Sequence, residues 1–257
     1  MAIKIGFSSM KGGVGKSTLS LVTASILHYD YGCPVTIIDC DDPQYSIVEM
    51  RKREASLLSK DGPAQRRVQA FYESFDGGQL KVRAYTPDSS TSAFEDILND
   101  EVDQDGYVIV DFPGRWTEGA MASLALKMDY IISPIEPTVH SLQTSVGFAN
   151  SLQRLVTMEE LKGRYSLKEV FLVWNKVKKQ IPAHMRIMTG FESTVLPNLK
   201  AKLFDSVLYD SVRFGKEFGK SPDEEFLLST LLPPVNFVRD RTGIDEFISE
   251  LISKCTK

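Results

Sequence analysis

The chain alternates short, almost wholly apolar runs with longer stretches in which apolar residues recur at helical spacing. Strands that are apolar throughout are typical of a parallel sheet covered on both faces, because neither side of such a strand meets water. This pattern predicts seven strands, which are Ile3–Ser9, Pro34–Asp41, Leu80–Thr86, Tyr107–Gly114, Asp129–Pro137, Glu169–Lys176 and Leu203–Asp210.

The segments between these runs predict helices. One is expected at about Ser17–Tyr31, and another over residues 91–100, where Phe94 and Ile97 share a face. A charged helical stretch over Ser46–Ser74 is interrupted at the sequence "DGP", because proline cannot donate a helical hydrogen bond. Two roles stay open for the charged region Ser46–Gly78 as a whole, a surface for an activator or a solvated helical hairpin.

Strands that alternate with helices predict an α/β fold with a doubly wound, mostly parallel sheet and helices on both faces. The chain has no internal repeat and no linker rich in Gly, Pro or Ser, so a single domain is expected over residues 1–257. Because the first strand is predicted from residue 3, no helix-turn-helix module is expected ahead of it.

Composition narrows the functional classes. The 257 residues carry a net charge of −4, which argues against a protein that is basic overall, although a local basic face remains compatible with it. Cys33, Cys40 and Cys255 are odd in number and lack C-x-x-C spacing, which argues against a disulfide framework or a zinc site. No apolar run reaches the roughly 20 residues of a membrane span, and no secretory signal is apparent, so a cytoplasmic protein is expected.

The stretch "KGGVGKST", Lys11–Thr18, follows the first predicted strand and opens the first predicted helix. It resembles the phosphate-binding pattern G-x-x-x-x-G-K-[ST], except that Met10 stands where the first glycine is required. Glycines let backbone N–H groups turn toward phosphate oxygens, and the helix N-terminus adds partial positive charge. The predicted loop residues are Gly12, Gly13, Val14 and Gly15.

The residues after the loop have separate expected roles. Lys16 is expected to reach the β- and γ-phosphates, Ser17 to place its hydroxyl on Mg²⁺, and Thr18 to contact the α-phosphate. Mg²⁺ keeps several waters, which carboxylates must hold. Two predicted strands end in such carboxylates at the sheet edge where ligands bind, and these are Asp39, Asp41, Asp42 and Asp111.

These motifs together resemble the ParA/MinD ATPases with a deviant Walker A motif, K-G-G-x-G-K-[ST]. The resemblance continues through "DCDDPQ" as first switch, "DFPG" as Walker B and second switch, and "VWNK" as a base-binding strand end. The stretch "DCDDPQYSI" and the late "STLLPP" also resemble ParA-like proteins encoded on conjugative transposons.

The resemblance implies ATP and Mg²⁺ as cofactors and assigns residue roles. Lys11 would reach phosphates held by a second subunit, Asp39 and Asp111 would act near the metal, and Asn175 would recognise the adenine edge. The chain has one residue more than the usual D-x-D-P-Q, so Asp41 or Asp42 would position the attacking water. Asp41 is favoured because it keeps the D-x-D spacing.

Within that family the sequence favours the partition type. No cysteine lies between Cys40 and Cys255, so the paired cysteines of a nitrogenase iron protein are absent. The predicted terminal helix has Phe247 on its apolar face but acidic residues opposite, which argues against binding to an anionic membrane. The resemblance implies an ATP-dependent homodimer, a DNA-bound activator and non-specific DNA binding, associated with the nucleoid. The basic candidates are Lys176, Lys178, Lys179, Arg213, Lys216, Lys220, Arg239 and Arg241.

Other functions stay open. A membrane-cycling positioning ATPase of the MinD kind is one alternative, and a P-loop enzyme acting on a small molecule is another. A nucleotide-dependent adaptor that hardly hydrolyses ATP is a third.

Overall fold

The computed structural model describes residues 2–86, 94, 97, 105–114, 119–158, 165–220 and 225–255. Its centre is a seven-stranded sheet in which every neighbouring pair is parallel, in the order β3-β2-β4-β1-β5-β6-β7. The strands are β1 (Ile3–Phe7), β2 (Val35–Asp39), β3 (Lys81–Ala84), β4 (Tyr107–Asp111), β5 (Tyr130–Ile135), β6 (Glu169–Val177) and β7 (Lys202–Tyr209).

All seven predicted strands are present, with bounds that agree within three residues at each end. The described helices are α1 (Lys16–Tyr29), α2 (Ser46–Leu58), α3 (Pro63–Tyr72), α4 (Ala120–Leu126), α5 (Val139–Thr157), α6 (Pro182–Thr194), α7 (Asn236–Arg239) and α8 (Ile244–Lys254). Short 3₁₀ helices cover Leu196–Asn198 and Val212–Gly215. The predicted helix over 91–100 lies outside the described residues, apart from Phe94 and Ile97.

Alternate residues of the central strands enter two separate apolar cores, which confirms that the sheet is covered on both faces. In β4, Ile109 belongs to the core shared with α1 and α8, whereas Val108 and Val110 belong to the core shared with α4, α5 and α6. All three are fully buried. The doubly wound architecture therefore follows from strands that are apolar on both sides.

The terminal helix α8 packs its apolar face on the sheet. Phe247 is fully buried, and its ring centroid lies 5.1 Å from that of Phe204 in β7. The Glu250 carboxylate accepts hydrogen bonds of 2.8 Å from the backbone N–H groups of Asp205 and Ser206, which fastens the helix to the edge strand. None of the described helices combines the length and apolar character needed to cross a membrane.

The charged region that follows β2 is an integral part of the fold. The third core cluster joins Val68 of α3 to Phe218, Phe226, Leu231 and Leu232. Beside that cluster, α2 contacts one residue of the late segment with several groups. Arg51 donates to the Thr230 carbonyl at 2.7 Å, and Glu54 accepts from the Thr230 N–H at 3.0 Å. The two helices are thus packed against the C-terminal segment over a common core, unlike a solvated hairpin.

Gly243 and Gly32 provide a matched test of one close contact. Both have left-handed backbone, with φ of +80° and +66°, but only at Gly243 would a Cβ overlap a backbone atom, the carbonyl oxygen of Val207. We expect Gly32→Ala to lower the free energy of unfolding by about 1 kcal/mol, from backbone strain alone. Gly243→Ala should lower the free energy of unfolding by about 2 kcal/mol more than Gly32→Ala does, because α8 must move away from β7. Urea denaturation measures both, and equal losses would contradict the close approach.

Candidate functional site

The glycine loop between β1 and α1 adopts a conformation that requires glycine at two positions. Gly13 has φ of +75° and Gly15 has φ of +88°, the left-handed region that side chains disfavour. A Cβ at Gly15 would also stand 2.9 Å from Nδ2 of Asn175. Gly15 precedes α1, whose first turn receives no hydrogen bond from a capping side chain of the described chain. The N–H groups of that turn are therefore suited to an anion.

The end of β6 holds the loop in this shape. Asn175 donates from Nδ2 to the carbonyl of Val14 at 2.7 Å, and its Oδ1 accepts from the N–H of Lys176 at 2.9 Å. The Lys176 ammonium donates to the carbonyl of Gly13. Two carbonyls of the loop are therefore bound by side chains of β6. The sequence assigned Asn175 to the adenine edge, and that assignment stays a prediction; what the side chain contacts here is the loop.

Asp39 and Asp111 are in register on the neighbouring strands β2 and β4, and both are fully buried. The Asp39 carboxylate accepts three backbone hydrogen bonds, from Asp41 at 3.2 Å, Ile47 at 2.9 Å and Val48 at 3.3 Å. Burial raises its pKa, and these hydrogen bonds act in the opposite direction. Asp39 thus caps the first turn of α2 and shapes the acidic loop after β2, which contains Asp41 and Asp42. The assignment of Asp39 to the metal stays a prediction.

Asp111 is in the opposite situation. Both of its carboxylate oxygens are buried without a hydrogen-bond partner among the described residues. Burial raises its pKa to about 7, although the nearby Ser17 hydroxyl and Lys16 ammonium lower it. A buried carboxylate without partners is costly, so its position needs a ligand that supplies hydrogen bonds or charge. The waters of a magnesium ion bound to Ser17 meet that need, so these residues fit the predicted metal.

The acidic loop after β2 faces the same cleft. Asp41 is half-buried and Asp42 is exposed, and both line the cleft together with Lys16 and Ser17. The cleft has a volume of about 1220 Å³ and extends along α2 to Lys220. The preference for Asp41 over Asp42 as the residue that orients water stays a prediction.

Lys11 lies at the rim, where it contacts a residue that the sequence motifs did not include. Its ammonium forms an ion pair with the Glu136 carboxylate, and Lys176 Nζ lies 3.1 Å from Glu136 Oε1. Glu136 directly follows β5, as Asp39 and Asp111 end their own strands. The criterion of an acid at the end of an apolar strand would therefore have found Glu136 in the sequence. Lys16, by contrast, is buried inside the loop, with 6% of its surface exposed.

Ion pairs separate the eight basic candidates into two groups. Five candidates pair with a carboxylate that is not an immediate neighbour in sequence, and these are Lys176 with Glu136, Lys178 with Asp210, Lys216 with Glu225, Lys220 with Glu217, and Arg239 with Asp30 and Asp245. Neutralised in this way, such groups attract phosphate less than unpaired cations do.

Three basic residues keep their charge available to solvent. Lys179 Nζ lies 3.9 Å above the ring centroid of Tyr209. The Arg241 side chain is 88% exposed, and its ion pair, at 3.4 Å, is with its sequence neighbour Asp240. Both line a cavity of about 530 Å³. Arg213 donates to the carbonyl of Asp240, so it adjoins Arg241. We call these three residues, Lys179, Arg213 and Arg241, the basic face.

Asn175→Ala separates the two roles of Asn175. Since the side chain holds the Val14 carbonyl, we expect the loop to loosen and the affinity for ATP to fall about tenfold, the loss of one good hydrogen bond. Magnesium tripolyphosphate, which has no base, should lose affinity by a similar factor. Calorimetric titration of both ligands into both proteins tests this. A loss confined to ATP would instead assign Asn175 to the adenine edge.

Comparisons with known proteins identify a family and structures that share the fold. The family model of the CobQ/CobB/MinD/ParA nucleotide binding domain matches residues 5–221. A putative plasmid partition protein from Borrelia burgdorferi B31, solved with AMPPNP, has a TM-score of 0.56 at 15% identity, covering 98% of this chain and 99% of that one. The MinC:MinD cell division protein complex of Aquifex aeolicus has a TM-score of 0.58 at 18% identity, covering 100% of this chain and 98% of that one. A ParA family ATPase from Chlorobium tepidum TLS has a TM-score of 0.54 at 14% identity, covering 99% of this chain and 100% of that one.

Identities this low establish a shared fold and no more. No curated protein sequence matches the chain at a significant level. The family model, however, spans most of the 257 residues and includes the loop, Asp39, Asp111 and Asn175. The chain therefore belongs to the CobQ/CobB/MinD/ParA family of nucleotide-binding proteins.

Proposed function

We propose that this chain is a Mg²⁺-dependent ATPase that dimerises on ATP, binds DNA without sequence preference and partitions or positions a plasmid or other mobile DNA. One observation carries the proposal. A glycine loop held open by β6 faces the unpartnered carboxylate of Asp111, and a second lysine, Lys11, stands at the rim of the same cleft. The structural neighbour that was solved with AMPPNP supports ATP as the nucleotide.

The residues of the site divide the work of phosphate binding. The loop N–H groups and the start of α1 bind the phosphate oxygens, and the buried Lys16 ammonium adds a fixed charge. Ser17 and Asp111 would hold Mg²⁺ and its waters, and the ion would neutralise charge on the phosphates. Asp41, which lines the same cleft, orients the attacking water.

Lys11 makes hydrolysis depend on a second subunit. Phosphoryl transfer spreads negative charge over the transferred group, and an added cation stabilises it. If that cation comes from the partner, ATP joins two subunits and hydrolysis separates them. The rate of hydrolysis then sets how long the dimer stays bound to DNA, and a DNA-bound activator protein would shorten that time. Such a protein is cytoplasmic and resides on the nucleoid while ATP-bound.

The ATPase is tested with Lys11→Ala. We expect this variant to bind ATP with an affinity within about threefold of the wild type, because Lys11 contacts no group of its own loop that binds phosphate. Hydrolysis stimulated by DNA and activator should fall by about 10³-fold or more, the usual effect of removing a cation supplied in trans. Titration with a fluorescent ATP analogue and a phosphate-release assay measure the two quantities. Loss of binding would refute the role of Lys11. Fast hydrolysis without DNA or protein would favour an enzyme acting on a small molecule.

The basic face is the surface we assign to DNA. It gathers the three of the eight candidates that form no ion pair, among the described residues, with a carboxylate beyond their immediate sequence neighbours, and Phe237 lies beneath the Arg213 guanidinium at 5.4 Å. Arginine and lysine bind DNA phosphates without reading sequence, and each contact releases counterions. Binding through this face should therefore weaken steeply as salt increases.

A triple variant tests the basic face. Replacing Lys179, Arg213 and Arg241 by alanine should reduce ATP-dependent affinity for a random duplex at least about tenfold and lower the salt slope by about two to three. The control replaces Lys52, Lys60 and Lys202, three exposed lysines elsewhere, and should change affinity little. Fluorescence anisotropy without nucleotide, with ADP and with ATP provides the measurement. Equal losses in both triple variants would contradict the assignment, and no binding in any state would contradict the DNA function.

The membrane-cycling alternative has less support from the fold. The apolar face of α8, which such a protein would insert, is packed on β7 and fastened there by Glu250. Liposome sedimentation with and without the last dozen residues tests it directly.

A further inference from the structure

Glu136 occupies a fixed position at the rim of the cleft. It follows β5 at the carboxyl edge of the sheet, and its backbone N–H donates to the hydroxyl of Ser141 in the first turn of α5 at 3.0 Å. Ser141 is itself 1% exposed. The strand and the helix therefore set where the Glu136 carboxylate stands, whereas the lysines that reach it have long and flexible side chains.

Two ammonium groups share this one carboxylate. Lys11 binds Oε2 and Lys176 binds Oε1 at 3.1 Å. The Glu136 side chain is only 16% exposed, and burial alone would raise its pKa. The hydrogen bonds and charges of the two lysines outweigh burial and lower the pKa, so the carboxylate is ionised at neutral pH. Its negative charge is held between a lysine of the loop and a lysine of β6.

This arrangement has a consequence for Lys11. Its ammonium cannot stay on Glu136 and also reach the phosphates of a second subunit. If Lys11 leaves, Lys176 remains on the carboxylate, so the half-buried charge keeps one partner and the departure costs less than breaking an isolated pair. Lys11 can therefore leave Glu136 for another partner, and the Glu136 carboxylate stays paired with Lys176.

We propose that Glu136 is a positioning residue that retains Lys11 within its own subunit until a second nucleotide-loaded copy of the chain competes for that lysine. The inference rests on the proposed function, in which Lys11 acts in trans. Glu136 then sets how much nucleotide and protein are needed before the dimer forms, and it limits hydrolysis by a lone subunit.

Glu136→Gln tests the proposal, since it keeps the side-chain shape and removes the charge. We expect the ATP-dependent dimer to form at about three- to tenfold lower protein concentration, in sedimentation velocity with a non-hydrolysable analogue. Unstimulated hydrolysis should rise by a similar factor. Glu169→Gln is the control, because Glu169 also pairs with a lysine, Lys202 at 2.6 Å, at the opposite end of β6. A dimerisation constant unchanged from the wild type would overturn the proposal.

A double-mutant comparison decides whether the effect passes through Lys11. In a Lys11→Ala background, Glu136→Gln should leave dimerisation unchanged, because no lysine remains to be released. If Glu136→Gln strengthens the dimer equally in both backgrounds, it acts through the general field of the site, and the positioning role is wrong.

Amine labelling tests the contact without using ATP turnover. In the nucleotide-free monomer, Lys11 should react with an amine-specific reagent about three- to tenfold faster in Glu136→Gln than in the wild type, with Lys60 as the internal reference. Equal rates overturn the contact itself. If no variant forms an ATP-dependent dimer, the proposed function fails, and the labelling result still decides whether Glu136 retains Lys11.

Discussion

The parallel pairing of β2, β4 and β1 fixes where charge can lie in this molecule. The carboxyl-terminal halves of these strands are buried on both faces, so a charged side chain there is tolerated only at the strand end. The register places Asp39 beside Asp111, and Asp111 beside Phe7, so all three strands end at the same level. The glycine loop begins directly after β1. Phosphate-binding groups and carboxylates therefore meet at one edge, and no other part of the described sheet offers that combination.

Three strand-end carboxylates at this edge have different electrostatic surroundings. Backbone N–H groups satisfy Asp39, two lysines satisfy Glu136, and Asp111 has no hydrogen-bond partner in the described part of the chain. The difference follows from position. Asp39 binds the start of α2, Glu136 lies within reach of the loop lysine, and Asp111 ends β4, which lies between β2 and β5 in the sheet. Of the three, only Asp111 keeps both carboxylate oxygens without a hydrogen-bond partner among the described residues, although the Lys16 ammonium and the Ser17 hydroxyl are near enough to lower its pKa.

Helix α2 connects the acidic edge to the C-terminal segment. Its first turn is held by Asp39, and its later turns contact Thr230 through Arg51 and Glu54. Arg53 on the same helix pairs with Glu217 at 2.9 Å, and both residues line the cleft. The region that looked like a charged insertion thus forms one wall of the cleft, and the late stretch "STLLPP" is the surface it rests on. A change in the acidic loop would have to move α2 against this packed segment.

The sequence by itself determined the strands, the loop and the two strand-end acids. Apolar runs report burial on both faces, and glycines report a backbone that must turn, and both signals are local. Tertiary structure alone decided which charges meet. Lys11 and Glu136 are 125 residues apart, and Asn175 and Val14 are 161 apart. Of the eight basic candidates, five pair with carboxylates, and four of those five have a partner that spacing along the chain does not reveal. Pairing depends on which strand ends and helix turns become neighbours, because the Coulomb energy of a pair depends on distance in space.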